Sequence, residues 1–580
     1  MAESVRSYEE RSVPDRLQSW PGVPDLLRRI YAARGVASEQ ELDLSLTRLL
    51  SPNLLLNADY AAARLADAIR GQERILIVGD FDADGATSTV LVAGALGDFG
   101  AEHVDYLVPN RFEYGYGLTT KIVELARSKS PDLIITVDNG ISSIEGVALA
   151  KRYGIDVLIT DHHLPGEQLP AADVIVNPNQ PGCTFPSKNL AGVGVAFYLM
   201  LALRSFLREL GYFEEKGYAE PKLVNYLDLV ALGTVADVVP LDHNNRILVA
   251  AGIRRIRQGL ACLGLSELLR IGKRESERVV ASDLGFSAGP RLNAAGRLDD
   301  MTVGIECLRA QSSSRAAALA AQLDSMNRER QRIERSMQQD AEELMAGIED
   351  TLDTGSAPSA LVLFEPHWHQ GVVGILASRV KDQMNLPVFA FACADDGFLK
   401  GSGRSVPGLH LRDTLELVAQ EHPDVLQKFG GHAMAAGVSI AEEHLVAFGA
   451  AFEQAVRRQR PAAIDSVVVT DGVLPTELLD LNTARQLREG GPWGQEFSEP
   501  LFVGDFELID HKLVGERHLK LSVRHPDTPR TLDAIAFSVD TQQWPRSDVK
   551  SVRMVYRLDV NQFRGVERLQ LIAEYLEPLY

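Results

Sequence analysis

Three aspartates at alternate positions, Asp80, Asp82 and Asp84, lie within the sequence Asp-Phe-Asp-Ala-Asp-Gly at residues 80–85. They follow an apolar run at 75–78 and precede a stretch of small residues that is typical of a helix start. Ionised carboxylates this close together repel one another, and burying them is costly unless a cation lies between them. The stretch therefore predicts a metal site. A solvated acidic loop is the alternative for these residues taken alone.

Three further groups of acids and histidines follow apolar runs that are typical of buried strands. These groups are Asp138-Asn139-Gly140 after 133–137, Asp161-His162-His163 after 157–159, and Asp237 after 227–232. The first could be a plain turn, and the second could be a helix cap followed by surface histidines. Asp237 is harder to explain in this way, because a buried acid needs a partner. Together the four groups favour one shared site.

The elements that would position these groups alternate between strand and helix from about residue 57 to 238. The predicted strands are at 75–78, 104–108, 133–137, 157–159, 174–176 and 227–232. Buried runs separated by helices indicate a parallel sheet with helices on both faces, and such sheets bind ligands beyond the carboxyl ends of their strands. Carboxylates with imidazoles suit Mn²⁺ or Mg²⁺ better than structural zinc. So many acids suggest two cations that clamp a phosphoryl displacement.

Composition places the chain among ordinary globular proteins. It has 580 residues, 45% hydrophobic and 24% charged, which predicts three or four domains. We expect no membrane span, because no apolar run approaches the length that a membrane helix needs. We expect no signal peptide, because the N-terminus is charged and lacks an apolar core. Four widely spaced cysteines argue against a disulfide framework or a zinc ribbon and fit a reducing cytoplasm. The net charge of −20 argues against nucleic-acid binding in general, but it counts metal-bound carboxylates at full charge.

Several other stretches carry an arginine, or glycines beside a donor side chain. Arg111 lies in an aromatic and glycine-containing loop at 109–117, where it would bind a phosphate or form a surface ion pair. The stretches at 285–297, 401–405 and 430–437 are interpreted as glycine-rich loops or turns that could approach a phosphate closely. A faint dinucleotide fingerprint at 190–197 is rejected because its third glycine is missing and no strand directly precedes it. That stretch is interpreted as the tight start of an apolar helix.

The predicted secondary structure changes twice in the second half of the chain. A long helical pattern without breakers covers about 313–348, and a new α/β unit follows from about 360. The last ~115 residues are rich in short strand-like runs, which suggests a small barrel. Trp493 could stack on a base or pack the barrel, and we favour packing.

The sequences DFDADG, VDNG, DHH and GTVADVVPL together resemble the DHH phosphoesterase superfamily and, within it, the RecJ family. The resemblance implies that the metal ligands are Asp82, Asp84, Asp138, His162 and Asp237, with Asp138 shared between two cations. Asp80 would support these ligands without binding metal. His163 would act with Asp138 in catalysis, beside the scissile phosphate. The substrate contacts implied are Arg111, Arg291, Asn293, Ser402, Arg404, Gly430, Gly431 and His432, with Ser402 and Arg404 holding a terminal 5′ phosphate.

The same resemblance implies the architecture: a parallel-sheet α/β DHH domain, a long helix, a smaller α/β DHHA1 domain and a β-barrel OB-fold domain. The expected bounds are 56–310 for the DHH domain, 311–352 for the helix, 353–462 for DHHA1 and 463–580 for the barrel, after an N-terminal extension at 1–55. It also implies a monomeric, cytoplasmic, Mn²⁺- or Mg²⁺-dependent exonuclease. This enzyme would degrade single-stranded DNA from the 5′ end to mononucleotides in DNA repair and recombination.

Two other functions stay open at this point. A phosphodiesterase acting on short oligonucleotides or cyclic dinucleotides would keep the chemistry and change the substrate. A catalytically inactive scaffold of a replication complex would keep the fold alone, although this chain retains every acid and histidine of the motifs. The resemblance further implies single-stranded DNA as a partner, with a single-strand-binding protein and a repair helicase as possible protein partners.

Overall fold

The computed structural model describes residues 8–14, 19–351, 358–394, 397–459, 467–515, 517–541 and 543–580. Contacts divide the chain into two compact units, one formed by 8–296, 300–323 and 467–580, the other mainly by 324–466 with 297–299. The first is called the larger unit and the second the smaller unit. Among the described residues, no helix is both long enough and apolar enough to cross a membrane. The predicted domain boundaries near 352 and 462 lie outside the described residues.

The helices, in chain order, are α1 (Asp25–Ala33), α2 (Ala58–Gly71), α3 (Ala83–Asp98), α4 (Arg111–Tyr114), α5 (Thr120–Arg127), α6 (Ile144–Arg152), α7 (Gly192–Glu209), α8 (Tyr212–Lys216), α9 (Leu227–Ala236), α10 (His243–Arg257), α11 (Leu263–Ile271), α12 (Ala281–Asp283), α13 (Gly289–Leu298), α14 (Thr302–Arg309), α15 (Ser313–Thr351), α16 (Val373–Met384), α17 (Leu411–Glu421), α18 (Leu445–Gln459) and α19 (Leu481–Glu489). The strands are β1 (Tyr8–Glu10), β2 (Ile75–Gly79), β3 (Val104–Leu107), β4 (Leu133–Val137), β5 (Asp156–Thr160), β6 (Val174–Val176), β7 (Leu361–Phe364), β8 (Val388–Cys393), β9 (Leu399–Arg404), β10 (Lys428–Gly431), β11 (Ala435–Ile440), β12 (Val468–Thr470), β13 (Phe502–Val514), β14 (His518–Arg524), β15 (Thr531–Ala536), β16 (Ser551–Phe563) and β17 (Val566–Leu579).

The sheet of the larger unit contains five parallel strands in the order β3-β2-β4-β5-β6. Every residue of β2 and β4 is buried, as expected of strands covered by helices on both faces. Helices α3, α7 and α9 pack against one another beside this sheet. The predicted parallel α/β sheet is confirmed for five of its six predicted strands.

The sixth predicted strand, at 227–232, is wrong. These residues form α9 (Leu227–Ala236), a helix that is buried over its first eight residues. An apolar run without alternation cannot distinguish a buried strand from a buried helix, and here helix packing decides the outcome. Asp237 therefore follows the end of a helix rather than a strand.

The smaller unit contains a five-stranded sheet in the order β10-β11-β9-β8-β7, in which only β7 and β8 pair in parallel. Residues of α15 from Asp324 onward belong to this unit. The predicted glycine-rich turn at 401–405 is wrong, because residues 399–404 form β9. Its glycines serve packing: a Cβ at Gly403 would lie 2.3 Å from the ring of Phe389, and one at Gly401 would lie 2.5 Å from that of Phe391.

The C-terminal strands close into a barrel in the order β13-β14-β15-β17-β16, as predicted. Two predicted runs, at 502–508 and 512–514, belong to the single long strand β13. Residues 468 and 469 of the predicted run at 466–469 belong to β12, which pairs in parallel with β1 outside the barrel. Trp493 packs against Phe497 with ring centroids 5.2 Å apart and donates through Nε1 to the carbonyl of Leu487, which fits a packing role.

The N-terminal segment is attached to the C-terminal region by a buried ion pair. The guanidinium of Arg34 contacts both carboxylate oxygens of Asp471, at 2.6 and 2.9 Å. Its side chain is 0% exposed, and that of Asp471 is 6% exposed. Arg34 also donates to the carbonyls of Ile30 and Ser498, so each donor group faces an acceptor. The predicted N-terminal extension therefore contributes to the core of the larger unit.

Candidate metal centre

The turn at 80–85 joins β2 to α3 and carries the first three acids of the site. Asp82 caps α3, and its Oδ1 accepts hydrogen bonds from the backbone N–H groups of Asp84 and Gly85, each at 3.0 Å. Oδ1 of Asp80 accepts from the N–H of Phe81 at 2.8 Å. These bonds fix the turn and leave further oxygen lone pairs of the carboxylates available.

Asp84 is held by the first turn of α7. Its two carboxylate oxygens accept from the N–H groups of Gly192 at 2.6 Å and Val193 at 2.9 Å. The stretch at 190–197 is thus a helix start, as predicted, and its positive end favours a nearby anion. A Cβ at Gly192 would lie 2.6 Å from the Cβ of Asp138, so glycine permits this close approach of helix and ligand.

Asp138 follows β4 directly and is buried. Its φ of +63° lies in the left-handed region, which aspartate and asparagine adopt more readily than other side chains. The side-chain amide of Asn139 donates to the carbonyls of Val78 and Val137 and so ties the ends of β2 and β4 together. This arrangement brings Asp138 beside the turn at 80–85.

Asp161 fixes the two histidines that follow it. Its carboxylate accepts from the N–H groups of Ile141, His162 and His163, and from Nδ1 of His163 at 2.7 Å. Burial opposes ionisation of both partners, but the contact between them raises the pKa of His163 and lowers that of Asp161. The hydroxyl of Tyr116 lies 3.2 Å from Nδ1 of His163.

The clearest indication that a cation binds here is a pair of buried atoms that lack hydrogen-bond partners among the described residues. Oδ1 of Asp138 and Nε2 of His162 lie 3.1 Å apart, yet neither has a hydrogen-bond partner among the described residues. Burial and the neighbouring His163 lower the pKa of His162 to about 4, so its ring is neutral near pH 7. Its other nitrogen bonds to the backbone of Leu190, which directs the lone pair of Nε2 towards the carboxylates of Asp138 and Asp237. Lone pairs that face each other in this way fit a bound cation.

The acids and histidines form three overlapping groups. Within each group, the ligand atoms lie within 4.8 Å of one another. The groups are Asp80, Asp82 and Asp138; Asp84, His162 and Asp237; and Asp138, His162 and His163. Burial and mutual repulsion raise the pKa of Asp84 to about 7 and those of Asp138 and Asp237 well above their ordinary values. Divalent cations would reverse this penalty, so the donor set fits hard cations such as Mn²⁺ and Mg²⁺.

Three predicted substrate contacts lie in the larger unit. Oδ1 of Asn293, in α13, accepts from the N–H of Ala83 at 2.7 Å and so supports the turn at 80–85. Nη1 of Arg291 donates to the carbonyl of Ser287 at 2.7 Å. Arg111 begins α4, and its side chain lies outside the described part of the structure.

The other predicted substrate contacts lie in the smaller unit. Ser402 and Arg404 project from β9 over the first turn of α16, where a Cβ at Gly374 would lie 2.9 Å from Oγ of Ser402 and 3.0 Å from Nη2 of Arg404. Nη1 of Arg404 donates to Oγ of Ser402 at 3.1 Å. Gly430 and Gly431 end β10, and His432 follows in the turn to β11.

Sequence reasoning assigned no role to three residues that hold the site together. Asp161 precedes the histidines that it fixes, Asn139 follows Asp138, and Tyr116 lies in the aromatic loop. Asn139 and Asp161 stand within recognised motifs and Tyr116 stands in the loop at 109–117, but each also bonds to a segment elsewhere in the chain. Only their proximity in the fold reveals the roles.

Profiles of three families match the chain: the DHH family, N-terminal domain, over 74–234, the DHHA1 domain over 357–458 and the RecJ OB domain over 470–575. A curated relative from Dickeya dadantii (strain 3937), named single-stranded-DNA-specific exonuclease RecJ, is 54% identical over 99% of this chain and 98% of its own. The chain belongs to the RecJ family. Because the match extends over nearly the full length of both proteins, the family assignment applies to both units.

Solved RecJ structures agree with this assignment. A crystal structure of RecJ in complex with Mn²⁺ from Thermus thermophilus matches with a TM-score of 0.77 and 30% identity, over 96% of this chain and 76% of that one. A second, in complex with Mg²⁺ from the same source, matches with a TM-score of 0.71 and 28% identity, over 96% and 75% of the two chains. The RecJ fold of DHH, DHHA1 and OB-like domains is therefore shared.

Proposed function

We propose that this protein is a metal-dependent exonuclease specific for single-stranded DNA. The observation that carries the proposal is the facing pair Oδ1 of Asp138 and Nε2 of His162, buried without hydrogen-bond partners among the described residues and inside a cluster of carboxylates. A relative that is 54% identical carries the name single-stranded-DNA-specific exonuclease. Together these observations favour a catalytically competent member of the family over an inactive scaffold.

Two Mn²⁺ or Mg²⁺ ions would divide the donor set between them. Asp84, His162 and Asp237 would hold one ion, while Asp82 and Asp138 would hold the other, with Asp138 able to reach both. Asp80 lies in the same group as Asp82 and Asp138, so its predicted supporting role stays a prediction beside the alternative of direct binding. Such ions supply the activation of water and the neutralisation of charge on the phosphate.

The protein's own side chains would provide order and charge around the reacting phosphate. The α7 N-terminus holds the carboxylate of Asp84 in place, and Asp161 holds the His163 ring. We propose that His163 then donates to an oxygen of the scissile phosphate. Ordered donors aimed at developing charge stabilise a transition state because no reorganisation is required during reaction.

We further propose that hydrolysis proceeds from the 5′ end and releases mononucleotides. Ser402 and Arg404 beside the α16 N-terminus form a suitable site for a terminal 5′ phosphate, because helix N–H groups and a guanidinium both bind oxyanions. The turn that carries Gly430, Gly431 and His432 would add contacts to the substrate. Arg111 and Arg291 are proposed substrate contacts as well. Asn293 is a further one, and it also supports the turn at 80–85.

Replacing Arg404 with alanine should lower kcat/KM for a 5′-phosphorylated single strand by about 10- to 100-fold, the effect of losing one charge-assisted hydrogen bond. Hydrolysis of the same strand with a 5′ hydroxyl should change little, because the lost contact is to the terminal phosphate. Initial rates with both substrates would measure the difference. Arg412→Ala removes a half-exposed arginine of α17 and provides the matched control. An equal loss on both kinds of end would contradict this role.

The activity itself can be tested with purified protein and Mn²⁺. A long single strand, the matching duplex, a dinucleotide and a cyclic dinucleotide would be offered separately. We expect rapid loss of the single strand, little loss of the duplex and no activity in the presence of a chelator. Preferred cleavage of the dinucleotide or cyclic dinucleotide would instead support a phosphodiesterase for small substrates. Inactivity towards all four would overturn the proposal.

We also propose that the protein acts in the cytoplasm as a monomer, with a single-strand-binding protein and a repair helicase as partners. All four cysteines are free thiols, which is compatible with a reducing compartment. The partner proteins are inferred from the family resemblance alone. Sedimentation of the purified protein would test the monomeric state directly.

A further inference from the structure

Two asparagines, Asn177 and Asn179, follow β6, an edge strand of the parallel sheet. β6 pairs with β5, whose carboxyl end leads into the two histidines of the candidate metal centre. The N–H of Asp161 donates to the carbonyl of Val176 at 3.2 Å, which continues the pairing of these strands beyond β5. The asparagines therefore lie beside the turn at 161–163.

Each asparagine donates to the backbone of a different histidine. Nδ2 of Asn177 donates to the carbonyl of His163 at 2.9 Å, and Nδ2 of Asn179 donates to the carbonyl of His162 at 2.6 Å. Oδ1 of Asn177 accepts from the N–H of Asn179 at 2.7 Å. Both histidines lie beyond the end of β5, so the asparagine amides take the place of sheet hydrogen bonds at this point.

The environment of Asn177 allows its amide one arrangement. The side chain is fully buried, with a carbonyl facing its Nδ2 and an N–H facing its Oδ1. Loss of this amide would leave two buried backbone groups unpaired, which is costly. The backbone of the histidine turn would then shift towards another donor, and the ring of His163 would move with it.

The segment 177–190 holds His162 at two places. Nδ2 of Asn179 also donates to the carbonyl of Lys188 at 3.2 Å, and Nζ of Lys188 donates to two further carbonyls of the segment at 2.6 and 2.8 Å. These bonds close the segment into a loop that ends at Leu190, whose backbone bonds to the ring of His162. His162 is thus fixed at its carbonyl by Asn179 and at its ring by Leu190.

We propose that Asn177 and Asn179 are positioning residues with separate effects: Asn179 places the metal ligand His162, and Asn177 places His163 beside the scissile phosphate. This inference rests on the proposed exonuclease function and adds two residues to it. Groups that act on a reacting phosphate must be placed closely, since a displacement of ~1 Å can cost ~100-fold in rate. Residues that orient a metal-binding histidine contribute about 10- to 100-fold to metal affinity or activity.

Replacing Asn179 with alanine should weaken Mn²⁺ binding about tenfold and leave kcat at saturating Mn²⁺ within about twofold of the wild type. The carbonyl of His162 loses its donor, whereas the backbone N–H of residue 179 still bonds to Asn177, which still holds His163. Isothermal titration calorimetry without DNA would measure Mn²⁺ binding. Initial rates over a range of Mn²⁺ concentrations would give kcat separately.

Replacing Asn177 with leucine, which has a similar volume, should lower kcat for a long single strand by about 10- to 100-fold at saturating Mn²⁺. KM for the strand and the affinity for Mn²⁺ should stay within about threefold of the wild type, because Asn179 still holds His162. In a His163→Ala background the same replacement should change kcat by no more than about twofold, since its effect passes through His163. A purely structural role of Asn177 would lower kcat equally in both backgrounds.

Asn225→Ala removes an exposed asparagine elsewhere in the larger unit and serves as the matched control. Thermal unfolding would verify that each variant is folded, and the half-buried Asn179 keeps the test decisive if Asn177→Leu is unstable. The proposal is overturned if both variants behave like the wild type, or if each loses Mn²⁺ affinity and kcat in parallel. Failure of the exonuclease function itself would be distinguishable, because the wild type would then leave the single strand intact at saturating Mn²⁺.

Discussion

Replacing Asp138 with asparagine should reduce DNA hydrolysis by roughly 10³-fold or more and, at the same time, stabilise the metal-free protein. The loss of activity follows from the position of Asp138, which belongs to two of the three candidate ligand groups. A shared ligand organises both cations, and lost electrostatic stabilisation of this kind costs at least several kcal/mol. Asp138→Ala should abolish hydrolysis equally while leaving the fold intact.

The gain in stability has a separate physical cause. Asp138 is 2% exposed, and burial together with the charges of Asp84 and Asp82 raises its pKa. Asparagine removes this repelled charge, keeps the shape and tolerates the left-handed backbone at φ +63°. The metal-free variant should therefore be more stable than the metal-free wild type by about 1–4 kcal/mol.

Urea unfolding with and without Mn²⁺ would measure both effects. Saturating Mn²⁺ should stabilise the wild type by about 3 kcal/mol when its concentration is ~100 times Kd, and should stabilise Asp138→Asn far less. Asp59→Asn, at an exposed position of α2, is the matched control. Near-normal hydrolysis by a clean preparation of Asp138→Asn, or equal stabilisation by Mn²⁺, would contradict the assignment of the metal centre.

Replacing Asp471 with alanine should lower the free energy of unfolding by about 3–5 kcal/mol, because it leaves the guanidinium of Arg34 buried without its carboxylate. The pair is closed from solvent, with side chains 0% and 6% exposed. Asp471 also accepts a hydrogen bond from the N–H of Leu501, which would lose its partner as well. Urea unfolding followed by circular dichroism would measure the loss.

A double replacement separates the contribution of the ion pair to stability from the cost of leaving one charge buried without its partner. Arg34→Met with Asp471→Leu should recover most of the stability, since hydrophobic side chains of similar volume often replace a buried ion pair without loss. The exposed carboxylate of Asp25, which lies 2.8 Å from the guanidinium of Arg28, provides the control, and Asp25→Ala should cost less than ~1 kcal/mol. A cost below that value for Asp471→Ala would show that the N-terminal segment is not held by this pair.

Motif residues were the most predictable part of the candidate site. The predicted ligands Asp82, Asp84, Asp138, His162 and Asp237 all fall into the groups that the fold brings together. The four groups that contain them could be found because each group follows an apolar run, and parallel strands place such ends at one edge. The choice of these five residues within the groups came from the family resemblance. Asp237 lies beside Asp84 and His162 although its run is a helix, and an acid after a buried segment needs a partner in either case.

Residues that act through a distant segment were not predictable in the same way. The pattern around Gly192 indicates only the start of an apolar helix. In the fold, the N–H of Gly192 donates to Asp84, and the lack of a side chain leaves room for Asp138. The pattern around Gly401 and Gly403 favours a turn, yet they lie in β9, where two phenylalanine rings occupy the space that a side chain would need. A glycine pattern does not distinguish a turn from a close contact, because the atoms that approach it belong to another part of the chain.

The amino-acid sequence by itself determined the parallel α/β sheet, the barrel and the acids and histidines of the candidate metal centre, because these depend on residue types and on local periodicity. The family was indicated by the resemblance of its motifs. The tertiary structure alone decided which atoms face each other: the facing Asp138 and His162 atoms, and the burial of Arg34 with Asp471. Each of these depends on whether a charge finds a partner. That is set by segments that meet only in the folded chain.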